Sequence, residues 1–205
     1  PYGNEATAVA CPLCQNWQNY IAEMYSYYAS IQPNVIWVED DFRLHNHDDL
    51  VWGGCFCDFH MEEYSKRAGK KLTRSEFVEG ILKKGEIHPY RKIWLDVSRK
   101  TMVDLAKLLG DAVHKVSPET KVGLMSSNPS VHCAEGRDWK GIFEGLSGKN
   151  SPLNRPHLPA YNETTSQQYI LNFSAVSRMT KAFLPDDTEI YPELENFQDT
   201  RFAKS

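Results

Sequence analysis

"PNVIWVEDDF", residues 33–42, is a short apolar run stopped by carboxylates. Its length and β-branched content are those of a buried parallel strand, and the segments around it repeat the pattern. Upstream, Trp17, Tyr20, Ile21, Met24, Tyr25 and Tyr28 recur at i, i+3, i+4, i+7, i+8 and i+11, one stripe of an amphipathic helix. Downstream, "MEEYSKRAG" reads as a short helix with Gly69 at its C-terminal end. Residues 73–84 read as a helix opened by "TRSEF", and 91–116 as a long helix. "TKVGLMSSNP" is a second strand, with a short helix around "WKGIFEGL" behind it. "HLPAYNE" reads as a third strand, "SQQYILNFSAVSRMTKAFL" as a helix and "TEIYPELEN" as a fourth strand.

Strands alternating with helices imply βαβ units and a parallel sheet. A doubly wound sheet and a (β/α)8 barrel compete for that pattern. No strand is followed by a glycine-rich phosphate turn, which removes the main reason for a nucleotide-binding sheet. Polar residues cluster after each strand instead, as "EDD", "SSN", "NET" and "ELEN", and barrels assemble their active sites from that rim. The expected fold class is therefore α/β, a (β/α)8 TIM barrel. Four strands are half a barrel, so residues 1–205 are expected to be one partial barrel, a catalytic domain that begins partway through its fold.

Composition narrows the function classes. The chain has 205 residues and a net charge of −4 with both signs interspersed, which argues against a nucleic-acid footprint or a polybasic membrane patch. No apolar run approaches the roughly 18 residues of a membrane span, and "PYGNEATAVACP" lacks the regions of a signal peptide. The expectation is a soluble protein with neither nucleic acid nor membrane as partner. The five cysteines, Cys11, Cys14, Cys55, Cys57 and Cys133, are an odd number in a chain too long for a small disulfide scaffold. Free thiols or metal ligands are the natural reading, and metal-binding thiols favour the cytoplasm.

The strand ends carry the chemistry. Side chains alternate along a strand, so Trp37, Glu39 and Asp41 share one face, and Glu193 and Glu195 share another strand's face. Each strand offers two carboxylates two residues apart. Cleavage of a glycosidic bond needs two carboxyl groups across the scissile bond, one to protonate the leaving oxygen and one to attack or to activate water. Trp37, Phe42, Tyr161, Tyr191 and Phe197 add aromatic surface of the kind that stacks on sugar rings. The ordinary alternative is a set of solvated loop carboxylates.

"CPLCQNW" ahead of an amphipathic helix, a strand ending in acids and a C-x-C-x-x-[CH] loop together resemble family 42 glycoside hydrolases and their β-galactosidase-like relatives in the large retaining clan. The resemblance covers most of the chain, from before strand four to just past strand seven of the barrel, with "VIWVEDD" as strand four and "IYPELEN" as strand seven. It implies a retaining glycosidase with Asp41 as acid/base and Glu195 as nucleophile, Glu193 lying one layer deeper as support beside Glu39. The family has Asn-Glu where this chain has Asp40 and Asp41, so the acid is one methylene shorter and follows a second acid. Asp40, Arg43, Trp37, Asn162, Tyr161 and Asn196 are the expected carbohydrate contacts. The resemblance also implies a structural zinc on Cys11, Cys55, Cys57 and His60, with Cys14 the rival first ligand. Three thiolates and an imidazole close a tetrahedral site and leave no position for catalysis.

Two other readings use different residues. His45 and His47 form an H-x-H pair after the first strand, the spacing with which metal-dependent amidohydrolase barrels feed a catalytic metal. A non-catalytic barrel that binds carbohydrate through Arg43 and Asn162 accommodates the Asp-for-Glu departure. The carbohydrate is the expected partner, and self-association as a homo-oligomer is compatible with everything above.

Overall fold

The structure, a computed structural model, describes residues 3–5, 9–39, 42–44, 54–127, 129–132, 136–157 and 166–192. In chain order the elements are α1 (Gln15–Ala29), β1 (Val35–Val38), α2 (Asp58–Ala68), α3 (Arg74–Leu82), α4 (Pro89–Val116), β2 (Lys121–Ser126), α5 (Pro129–His132), α6 (Trp139–Ser147), β3 (Leu153–Pro156), α7 (Ser166–Phe183) and β4 (Glu189–Ile190). The fold is mixed α/β. Its four strands pair in parallel in the order β1-β2-β3-β4, each beside the next in sequence. Among the described residues, no helix is long and apolar enough to cross a membrane.

Local chemistry sets the helix ends. The Thr73 hydroxyl accepts from the Glu76 amide 3.2 Å away and starts α3. Gly69 ends α2 in the left-handed conformation at φ 68°. Pro89 opens α4, where a missing N–H costs nothing, behind His88, whose Nδ1 accepts from the Tyr90 amide at 3.2 Å.

Successive parallel strands laid down in one direction, joined by crossovers of one hand, put all their helices on the same side of the sheet. The burial agrees. Val38, Val122 and Leu124 of the sheet share one core with Ala29 of α1, Leu105, Leu109 and Val113 of α4, Ile142, Phe143 and Leu146 of α6, and Leu184 just after α7. Doubly wound sheets carry helices on both faces; among the described residues, α1, α4 and α6 pack on the same face of the sheet. The long α4 continues past this core into a second one, where Trp94 and Val97 meet Phe56, Tyr64, Leu72, Phe77, Val78 and Ile81 of the α2–α3 excursion.

The opposite face is aligned by register. Trp37 pairs with Gly123, Gly123 with Leu153 and Leu153 with Glu189. A Cβ on Gly123 would come within 2.4 Å of the Trp37 ring, so the indole lies across β2 where that strand has no side chain. The same ring meets Tyr191, just past β4, edge to face with centroids 6.0 Å apart. Three strand spacings span roughly 14 Å along a flat sheet, of which the indole leaning over β2 covers about one. Rings from the first and fourth strands touch because the sheet curls toward this face, which is concave. Lys121 of β2 and Glu189 of β4 also reach across β3, at 2.5 Å.

Two readings of the sequence are corrected. The third strand is Leu153–Pro156, ahead of "HLPAYNE", and residues 158–165 lie outside the described residues. Asn154 gives "LNRP" the look of a loop, yet it is fully buried, its amide donating to Leu124 O at 3.1 Å and Ser126 Oγ at 2.8 Å. Phe42, read as a sugar-stacking ring, is buried in the helix-side core with Val38.

The tightest helix crossing predicts a measurable cost. An alanine methyl at Gly110 would stand 2.4 Å from Gly145 O and 2.8 Å from Leu146 O. Overpacking costs about 1–3 kcal/mol, more than the roughly 1 kcal/mol that alanine gains in a helix interior. Gly110→Ala should lower the urea midpoint at unchanged m-value; an unchanged midpoint would mean that α4 and α6 do not meet through backbone.

Candidate functional site

Cys11 from ahead of α1 meets Cys55, Cys57 and His60 beside the second core. The Cys11 and Cys57 sulfurs are 3.4 Å apart, and His60 Nδ1 lies 3.3 Å from Cys11 Sγ and 3.8 Å from Cys57 Sγ. With Cys55 Sγ, these donor atoms all lie within 4.8 Å of one another. His60 is fully buried and the three cysteines are half-buried.

Each ligand is delivered by a local device. Cys57 is the N-cap of α2 and His60 its third residue. N-cap and N3 side chains face one another across a helix N-terminus, the geometry that a capping box exploits. Cys55 follows Gly54, at φ 69°, where an added Cβ would meet Leu44 O at 2.8 Å. Only glycine takes this left-handed turn against the neighbouring backbone. Cys11 is held by the turn in which the Cys14 amide donates to Cys11 O at 3.0 Å. Cys14 itself caps α1 and is outside the four-donor group.

Proton competition marks the cluster electrostatically. Cys55 is drawn far below the ordinary thiol range by the hydrogen bond from Cys11, against its own burial, with His60 adding to the effect. Cys11 is pushed up as the proton-holding partner of that bond and by burial. Cys57 is pushed up by burial first. The thiols thus compete for protons, whereas a divalent cation would take all three as thiolates. Tyr64, one turn beyond His60, closes the site from the core. Its hydroxyl donates to Cys55 O at 3.2 Å, and burial followed by the thiolate charge holds it protonated.

The donor set fits zinc. Tetrahedral ligands about 2.3 Å from the ion stand roughly 3.8 Å apart, close to the measured spacings. Ligation through Nδ1 leaves the proton on Nε2, which has no hydrogen-bond partner among the described residues and belongs to a ring packed 5.9 Å from that of Tyr64. A metal ion held here would cross-link the segment before α1 to the start of α2, with Cys11, Cys55, Cys57 and His60 as its four ligands.

The other expected residues divide in two. Trp37 is half-buried on the concave face, and Arg43 lies just past β1 beside Phe42, whose carbonyl accepts from Arg137. Asp40, Asp41, His45, His47, Cys133, Tyr161, Asn162, Glu193, Glu195, Asn196 and Phe197 lie outside the described residues. Sequence reasoning passed over Tyr64, although its spacing of four from His60 puts both on one helix face. No family model matches the chain, and no curated protein and no solved structure matches it significantly.

Protein purified without chelator should carry one zinc per chain. Cys55→Ala should lose the metal and lower Tm by at least about 5 °C, as loss of a bound ligand does in a chain of this size, while Cys14→Ala keeps it. Protons compete for thiolates and imidazole, so zinc retention should fall as pH falls. Metal-free protein in which the two variants melt alike would contradict the site.

Proposed function

We propose that this chain supplies strands four to seven of a (β/α)8 barrel whose concave face cleaves a glycosidic bond with retention of configuration. One observation carries the reading: Trp37 and Tyr191 meet on the concave face although two strands lie between them. The resemblance puts the acid/base at Asp41, shortly after β1, and the nucleophile at Glu195, shortly after β4, with Glu193 as its support. A contact between the first and fourth strands supports a reading in which carboxylates from those two strands flank one scissile bond. Sequential parallel order and helices on one face are what half a barrel would present. The resemblance to family 42 glycoside hydrolases points the same way, and a thiolate-held zinc is the feature that the resemblance implies at Cys11, Cys55, Cys57 and His60.

In this reading Asp41 protonates the leaving oxygen and Glu195 attacks the anomeric carbon; Asp41 then deprotonates the water that releases the sugar.

With an activated aryl galactoside, Glu195→Gln should abolish turnover. Asp41→Asn should spare glycosylation, since the leaving group needs little protonation, and slow deglycosylation by about 10²–10⁴-fold. Azide should rescue Asp41→Asn and give a glycosyl azide of retained configuration. Loss of turnover in Glu193→Gln with Glu195→Gln active would move the nucleophile by one repeat. Tight sugar binding without turnover in the unaltered protein would make the barrel a carbohydrate-binding module.

A further inference from the structure

The donors of the thiol–imidazole cluster come from two places in the chain. Cys11 arrives from ahead of α1, while Cys55, Cys57 and His60 belong to one short stretch at the start of α2. The Cys11 and Cys57 sulfurs already touch, 3.4 Å apart in a part-buried contact. A disulfide bond is about 2.05 Å long, so the two sulfurs reach it by closing roughly 1.4 Å. Both cysteines are half-buried, which leaves them within reach of a small oxidant, whereas His60 is fully buried.

Local structure favours this pair over the others. A Cys55–Cys57 bond would close a ring over Phe56, whose side chain is buried in the second core. Cys55 is also fixed through its backbone. Its carbonyl accepts from the Tyr64 hydroxyl at 3.2 Å, and Gly54 before it takes a left-handed turn at φ 69°. Cys14 is three residues from Cys11, but it heads α1 and lies outside the four-donor group. Cys57 caps α2 with no hydrogen bond from its side chain to the helix, so its sulfur turns to Cys11 without cost to α2.

We propose that Cys11 and Cys57 are a redox pair, trading the metal ion of this cluster for a disulfide bond when the oxidant is a small disulfide such as oxidised glutathione. One protein sulfur, as thiolate, attacks a sulfur of the oxidant and displaces its other half as thiolate. The second protein sulfur then attacks the mixed disulfide and displaces the remaining half. Two protein sulfurs lose two electrons, and one oxidant disulfide becomes two thiols. Those thiols take their protons from the protein thiols, or from water where the metal has already displaced them. A shell of three thiolates and an imidazole does not hold its ion after losing two thiolates, so the ion leaves as the bond forms. Ion and bond join the same two segments, so the α2–α3 excursion stays clipped in either redox state. The bond closes a loop across 46 residues, long enough to restrict the unfolded chain strongly. This exchange is independent of the glycosidase reading.

The experiment treats zinc-loaded and metal-free protein with oxidised glutathione, in a Cys133→Ser background that removes the fifth thiol. Zinc release is followed with a chromogenic chelator, and the bond by peptide mapping without reductant. Zinc-loaded protein should release one zinc per chain as Cys11 becomes linked to Cys57. Metal-free protein should form the same bond, with Tm at least about 5 °C above its reduced form. In metal-free protein, Cys11→Ser should form no link to the start of α2. Cys57→Ser, in which a hydroxyl still caps α2, should link Cys11 at least about tenfold more slowly. Cys14→Ser and Cys55→Ser should form the Cys11–Cys57 bond at the unaltered rate. A link that forms as fast in Cys57→Ser, or is lost in Cys14→Ser, would overturn the pair. Glutathione adducts without an internal bond would overturn it too, as would zinc that stays bound while the disulfide forms, or protein that takes up no zinc.

Discussion

The indole of Trp37 lies across β2 at the one residue there that has no side chain, Gly123, and reaches the ring of Tyr191 beyond β4. A side chain at position 123 would lift the indole off the sheet, and the first and fourth strands would lose their contact. The curl that results separates two environments. On the convex side, Val38, Val122 and Leu124 are buried against α1, α4 and α6. On the concave side stand half-buried polar and aromatic residues, among them Lys121, Arg155 and Glu189. Apolar burial at about 25 cal/mol per Å² drives the first; the second is where charged chemistry can sit without displacing the core.

The thiol–imidazole cluster solves another problem. The excursion from β1 to α4 has its own small core, with the stacked rings of Tyr64 and Phe77 4.5 Å apart at its centre. A core this small contributes little cooperative stability by itself. α4 links it to the main core from one side, and Arg91, donating to Ile81 O at 2.6 Å and Lys83 O at 2.7 Å, ties the end of α3 to that helix. Cys11, brought from ahead of α1, joins Cys55, Cys57 and His60 at the other side. A zinc ion there would stabilise two segments that share few apolar contacts, through ligand bonds that exist only in the folded chain.

Much of this was legible in the sequence, for physical reasons that differ by element. β1 announces itself as a short apolar run with β-branched residues, and β2 as a short apolar run bounded by polar residues. α2, α3 and α4 carry their own end signals in Gly69, Thr73 and Pro89. β3 was not legible, since Asn154 is buried by satisfying its amide on a neighbouring strand, and no local pattern reports such a partner. Phe42 was misjudged because the turn in which its amide donates to Glu39 O ends the strand's alternation, and its ring is buried in the core with Val38. The C-x-C-x-x-H spacing marked three ligands through helix-terminus geometry. Cys11, already preferred to Cys14 as the fourth ligand, is in the cluster, and Cys14 stands at the head of α1 outside it. Curvature of the sheet has no sequence signal apart from a glycine opposite a tryptophan.

The account stands most directly on a covalent sugar. A fluorinated galactoside with a dinitrophenolate leaving group slows both steps of a retaining hydrolase, and release most of all, so the glycosyl-enzyme accumulates. Intact mass should rise by one fluorodeoxyhexosyl group, and peptide mapping should find it on Glu195. Modification of a different face of the protein, or a protein that turns over the parent galactoside with inversion and never gains mass, would contradict it.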